Sequence, residues 1–201
     1  MIDTSQHWES VYASKPDAEL SWTQPDPTTS LSLIAEACPA GSVIDVGGGT
    51  SPLASRLLDR GYSVTVLDIS PTAIGRAREH LGPKADQVKW VVADVTTKPD
   101  LGIFDVWHDR AVFHFLTEQA GRDSYRELLS RTLPLGGHAI IATFAPDGPQ
   151  KCSGLEIRQY DGPTLAVELG EQFKLLKTVP EVHSTPWGQP QAFQYSLFRR
   201  I

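Results

Sequence analysis

The sequence predicts an α/β domain built on a mainly parallel sheet, and three observations carry that prediction. The β-branched run Ser42-Val43-Ile44-Asp45-Val46 ends in Gly47-Gly48-Gly49 and gives way to a helical pattern. Buried parallel strands have this apolar character, and glycines let the backbone pass close to a ligand. Strand-like and helix-like stretches then alternate, as in a sheet with helical crossovers. Three successive strands each deliver a carboxylate, Asp45 within the end of the first and Asp68 and Asp94 closing the next two, to the same end of the sheet.

Residues 3–27 are expected to form a cap or lid, because His7, Trp8, Tyr12, Trp22 and Gln24 precede Pro25 and Pro27 without a strand pattern. A helix over Thr28–Ala37 follows from Leu31, Ile34 and Ala35 at helical spacing after a Ser/Thr-rich start. The next helix, Pro52–Arg60, carries proline in its first turn and Gly61 just past its end. Ser63–Asp68 is the second strand, and Ser70 and Pro71 read as N-cap and first residue of a helix that Gly82-Pro83 stops. Strands over Val88–Asp94 and Ile103–His108 come next, then a helix over 118–132, the turn Leu133-Pro134-Leu135-Gly136-Gly137 and a strand His138–Phe144. The stretch 145–160 is long for a connection and is expected to be functional. After a short helix near Pro163–Leu169, the strands Phe173–Thr178 (extending toward Val182) and Ala192–Arg199 flank a turn at 185–190. A link this short makes them antiparallel.

The 201 residues suit one domain, with 1–27 as cap and 28–201 as core. A formal charge of −6 argues against a nucleic-acid partner. Cys38 and Cys152, with no CxxC pair and no histidine cluster, suggest neither a metal site nor a disulfide framework and fit a reducing, cytoplasmic setting. No apolar run approaches the ~20 residues that a membrane span needs.

A ligand of an open α/β sheet lies beyond the carboxyl ends of the strands, where their order changes direction. Asp45, Asp68 and Asp94 bring acceptors there, suited to a ligand with a hydroxyl pair and cationic groups but no phosphate. The glycine loop also suits a dinucleotide, with Asp68 at the ribose of NAD, although Pro52 stands where the third glycine of that fingerprint belongs. An NAD-dependent dehydrogenase is therefore the runner-up reading, and a non-catalytic cofactor-binding module the third.

The loop from Asp45 to Gly49, the spacing of the three acids and the Pro-Leu-Gly-Gly turn at 134–137 together resemble the class I S-adenosylmethionine-dependent methyltransferases, from Gly41 to the C-terminus. The resemblance implies a Rossmann-like, doubly wound seven-stranded sheet of order 3-2-1-4-5-7-6 with strand 7 antiparallel. It also implies S-adenosylmethionine as cofactor and S-adenosylhomocysteine as product. Carried onto this sequence, it puts Asp45 and Gly47 at the methionine end of the cofactor, with Gly48 and Gly49 also binding it. Asp68 then accepts from the ribose with Ile69 on the adenine, Asp94 and Val95 hold the adenine edge, and Arg110 touches the cofactor. Trp22 and Gln24 are expected to close over it, and His183 and Trp187 to overhang the site.

Methyl transfer is an in-line displacement in which alignment and exclusion of water matter most. Asp109 and His108 are the candidate catalytic groups, placed to take a proton or orient the acceptor; His114 is expected to be a packed histidine. Trp107-His108-Asp109-Arg110 resembles the fourth-strand region of thiopurine-type methyltransferases and of a group that methylates protein lysines. The Asn/Asp-Pro-Pro-Tyr sequence that resembles base or glutamine methylation is absent. A small-molecule acceptor is expected, with a protein lysine as the alternative, and Lys151-Cys152-Ser153-Gly154 beside the acceptor.

Overall fold

In the computed structural model, which describes residues 4–201, helix α1 (Thr4–Ser14) and helix α2 (Thr28–Ala37) lead into strand β1 (Ser42–Val46). There follow α3 (Leu53–Leu58), β2 (Ser63–Asp68), α4 (Pro71–Leu81), β3 (Val88–Val92), β4 (Val106–Arg110), α5 (Gln119–Thr132) and β5 (His138–Phe144). A small hairpin, β6 (Lys151–Cys152) with β7 (Leu155–Glu156), precedes α6 (Gly162–Leu169), β8 (Phe173–Ser184) and β9 (Pro190–Arg200). Seven strands form one sheet of order β3-β2-β1-β4-β5-β9-β8. β1 to β5 run parallel, while β9 is antiparallel to both of its neighbours. This is the expected topology, the small hairpin lying outside the sheet.

Strand alternation explains the two-sided core. Val43, Val64, Val66 and Val106 pack with Leu31 and Ile34 of α2 and Leu57 of α3 on one face. On the other, Ile44, Leu67, Trp107 and Ile141 meet Tyr125, Leu128 and Leu129 of α5 and Leu165 of α6. Helix α4 starts as the sequence implies: the Ser70 hydroxyl accepts from the Ala73 amide at 3.1 Å and Pro71 occupies the first turn. Among the described residues no helix is long and apolar enough to cross a membrane.

Several boundaries differ from the sequence reading. The fourth strand begins at Val106, not Ile103, and runs on to Arg110. The chain turns at Gly102 (φ +87°), leaving Ile103 63 % exposed, and Asp105 ties down the start of β1 by accepting from the Ser42 amide and hydroxyl. β3 stops at Val92, because the Asp94 carboxylate accepts from the Thr96 amide and caps a short 3-10 turn. The helix after β1 is shorter at both ends than Pro52–Arg60. β8 continues through Val182 to Ser184, paired with β9 throughout apart from a bulge between Leu175 and Lys177. The cap contains α1, which packs its Tyr12 against Ala73 of α4.

Candidate active site

The carboxyl ends of β1 to β4 open into a cleft of about 780 Å³, counting the part open to solvent. After β1 the chain turns so tightly that the Gly47 and Gly48 amides both donate to the Leu67 carbonyl of β2, at 2.7 and 3.3 Å. Gly47 has φ +65°, and a Cβ there would lie 2.1 Å from Val112 Cγ2. Gly49 has φ +49°, and a Cβ would lie 2.4 Å from the Tyr12 hydroxyl. Both positions favour glycine by their backbone conformation, and a side chain at either would have to displace Val112 or Tyr12.

Asp68 sits beneath this loop, buried, with Oδ2 accepting from the Gly49 amide and Oδ1 from the Ser70 amide, each at 2.9 Å. Burial raises its pKa to about 6 and the nearby Asp45 carboxylate adds to the rise, while the amides that donate to it only partly offset it. The carboxylate thus couples the glycine loop to the start of α4 while remaining on the cleft wall with Ile69. Asp94 and Val95 line the same wall, Asp94 through a carboxylate whose Oδ1 serves the Thr96 amide and hydroxyl at 2.7 Å.

Asp45 and His108 are direct partners in the β1–β4 register, so their side chains emerge on the same face, beneath α2. His108 Nδ1 lies 2.7 Å from Asp45 Oδ1, and Nε2 lies 2.9 Å from the Ser30 hydroxyl. All three residues are buried. They border a neighbouring cavity next to the glycine loop, together with Gln24 and Gly48, rather than the main cleft. Gln24 turns from the cleft to donate to Glu181 at 3.0 Å.

Asp109, the first of the two candidate catalytic groups, points to the opposite face of the sheet from His108. It is fully buried, and it accepts from the Val112 amide (2.8 Å), the Phe113 amide (3.1 Å) and the Tyr125 hydroxyl (2.6 Å). Burial raises its pKa to about 6 despite these donors. Its work is to fold the turn after β4 and to anchor α5. His108, the second candidate catalytic group, has both ring nitrogens engaged inside the protein. His114 is buried between Phe115 and Phe144, with its pKa driven down to about 3 by desolvation.

The cleft is closed on its outer side by the N-terminal segment. Trp8 makes edge contacts with Trp22 and Phe115, at centroid distances of 5.6 and 4.9 Å, and Tyr12 meets Trp22 at 6.0 Å. Glu9 fastens α1 to the start of α4 by accepting from the Ser70 hydroxyl at 2.6 Å and from the Thr72 amide and hydroxyl. Cys152 of the small hairpin reaches the cleft wall. His183 Nε2 donates to the Ser21 carbonyl (2.7 Å), bracing the segment before Trp22, whereas Trp187 is exposed and stands off the cleft. Sequence reading did not single out Phe115, Leu116 or the Tyr12–Gly49 contact; aromatic density in residues 7–22 was the available signal.

The donor set fits an S-adenosyl cofactor. Two strand-end carboxylates face the cleft beside glycine backbone, and Arg110 is the one Lys or Arg side chain among the described residues lining it. That arrangement offers acceptors for a ribose diol rather than a basic cradle for a pyrophosphate.

Comparison with known proteins agrees. A sequence family described as a methyltransferase domain matches residues 43–137. A 2-heptyl-1-hydroxyquinolin-4(1H)-one methyltransferase of Mycobacteroides abscessus is 30 % identical over 167 residues, covering 76 % of this chain and 73 % of that protein. The N-methyltransferase NodS of Bradyrhizobium japonicum, solved with S-adenosylhomocysteine, superposes with a TM-score of 0.74 at 16 % identity, covering 98 % of this chain and 99 % of that one. A 1,6-didemethyltoxoflavin-N1-methyltransferase of Burkholderia thailandensis, solved with its substrate and S-adenosylhomocysteine, gives 0.69 at 20 % identity over 98 % and 84 %. The chain belongs to the class I S-adenosylmethionine-dependent methyltransferases.

Proposed function

We propose that the acceptor of this methyltransferase is a small molecule, and that the residues around the cleft divide into holders, screens and positioning groups. The observation that carries the reading is the aromatic enclosure by Trp8, Trp22 and Phe115, which leaves a pocket rather than an open acidic groove for a peptide. The relatives named for quinolone and toxoflavin acceptors support it.

S-adenosylmethionine, when bound, supplies an electrophilic methyl carbon. Asp68 would accept from its ribose hydroxyls and Ile69, Asp94 and Val95 would hold its adenine, while Gly47 and Gly49 leave room for close backbone approach. Trp8, Tyr12 and Trp22 screen the cleft from water. Ser30 and His108 hold Asp45 against the glycine loop. With Asp109 occupied internally, the chain's contribution is alignment and desolvation, which lower a displacement barrier without a strong base. We also place the protein in the cytoplasm, on its two free cysteines, Cys38 and Cys152, and exclude nucleic acid on its charge of −6.

The test is incubation with S-adenosylmethionine carrying a tritiated methyl group and an extract split by size. Label in the small-molecule fraction supports the proposal. Label confined to protein, lost on lysine acetylation, would instead establish the lysine alternative.

A further inference from the structure

Arg110 closes β4 where the cleft meets the neighbouring cavity, and it borders both. Its guanidinium is fixed on three sides. Nε donates to the Tyr195 hydroxyl at 3.1 Å, Nη1 donates to the Trp22 carbonyl at 3.0 Å, and the group lies 4.6 Å from the centre of the Phe193 ring. Among the described residues Nη2 is buried with no acceptor, and none of their ion pairs includes Arg110. The acid nearest in the network, Glu181, reaches the Tyr195 hydroxyl at 3.5 Å and accepts from Gln24. Cys152 does not supply a counter-charge either, because burial pushes its thiol up to about 12.

A guanidinium taken from water without a counter-ion is costly, and a rigid one with a free N–H edge is a ready partner for a carboxylate. The partners that orient it, a phenol, a carbonyl and a ring face, are all neutral and hold it in place without neutralising its charge. Its position also separates it from the acids expected to hold the cofactor. Asp68 and Asp94 lie at the ends of β2 and β3, whereas Arg110 leans the other way, onto Tyr195 and Phe193 of β9.

We infer that the methyl acceptor is an aromatic carboxylate whose anionic group docks on Arg110 Nη2, with its ring against the aromatic wall that begins at Trp22. This rests on the small-molecule methyltransferase reading and assigns Arg110 to the acceptor instead of the cofactor. The carboxylate is the recognised group; the atom that receives the methyl is set by the remainder of the molecule.

The test uses 2-naphthoate and its neutral counterpart 2-naphthamide as probes, titrated calorimetrically into protein saturated with S-adenosylhomocysteine, for wild type, Arg110→Gln and Arg110→Lys. The expected result is at least about tenfold tighter binding of the acid to wild type, the increment of one charge-assisted hydrogen-bond pair. Arg110→Gln should level acid and amide while holding S-adenosylhomocysteine affinity within about twofold, which also reports an intact fold; Arg110→Lys should restore part of the preference. Equal binding of acid and amide to wild type overturns the inference, as does a preference that survives Arg110→Gln. A parallel loss of S-adenosylhomocysteine affinity in Arg110→Gln overturns it too, since Arg110 would then serve the cofactor's own carboxylate. Failure of wild type to bind S-adenosylhomocysteine at all would strike the methyltransferase reading itself.

Discussion

His108 and Asp45 lie directly opposite one another on parallel strands and join at 2.7 Å, with Ser30 continuing the chain of hydrogen bonds on the far side of the imidazole. The pairing makes β4 a support for the glycine loop, because a Cβ on Gly48 would come within 2.8 Å of Asp45 Oδ2. His108→Ala leaves a buried carboxylate without its partner and should cost about 3 kcal/mol or more in chemical denaturation. Ser30→Ala removes one neutral hydrogen bond and should cost about 1 kcal/mol. His108→Asn, which keeps a donor near the position of Nδ1, should recover part of the loss. Equal, small losses for the two alanine variants would show that the pair bears no structural load.

The raised pKa of Asp68 has two consequences of opposite sign. In the free protein, the folded state keeps the proton up to about pH 6, whereas the unfolded chain releases it near 3.8. This group's stabilising contribution, on the order of 3 kcal/mol, is complete below pH 3.8 and is lost as pH rises through 6. Ribose binding needs the ionised form as an acceptor, so affinity for S-adenosylhomocysteine should rise with pH and level off above about 6. Calorimetric titrations from pH 5 to 7.5 check this, and Asp68→Asn should flatten the profile.

Tyr125 links Asp109 to Trp107: its hydroxyl donates to Asp109 at 2.6 Å and accepts from Trp107 Nε1 at 2.7 Å. Tyr125→Phe should lower stability by about 1–3 kcal/mol by leaving both neighbours short of a partner. Its effect on kcat should stay small once the fold is held by low temperature. A large fall in kcat with unchanged stability would return Asp109 to a role in the chemistry.

Glu9 fixes the lid through Ser70 and Thr72. Glu9→Ala should speed dissociation of S-adenosylhomocysteine several-fold, read in stopped flow from the fluorescence of Trp8 and Trp22, with little change in global unfolding. An unaltered off-rate would mean that α1 does not gate the cleft.

The sheet was legible in the sequence because the parallel strands are rich in β-branched and apolar residues and glycine or proline marks most of the turns. Ile103-Phe104 misled because its residue types suit a strand, but pairing with β1 begins only where Asp105 meets Ser42. His108 and Asp109 were legible as a pair of polar groups near the switch point. Their separate fates were not, because the face each one takes depends on the register of β4 against β1. Tyr12 and Phe115 come together with the loop only through docking of α1 on α4, a contact between segments some sixty residues apart in sequence.

The most direct test of the account is calorimetric titration of S-adenosylhomocysteine, with NAD in parallel, into wild type and Asp68→Ala. The account predicts micromolar binding of S-adenosylhomocysteine to wild type, none of NAD, and affinity at least about tenfold weaker in the variant, the loss of a charge-assisted pair of hydrogen bonds. Unchanged affinity in Asp68→Ala, or binding of NAD instead, would contradict it.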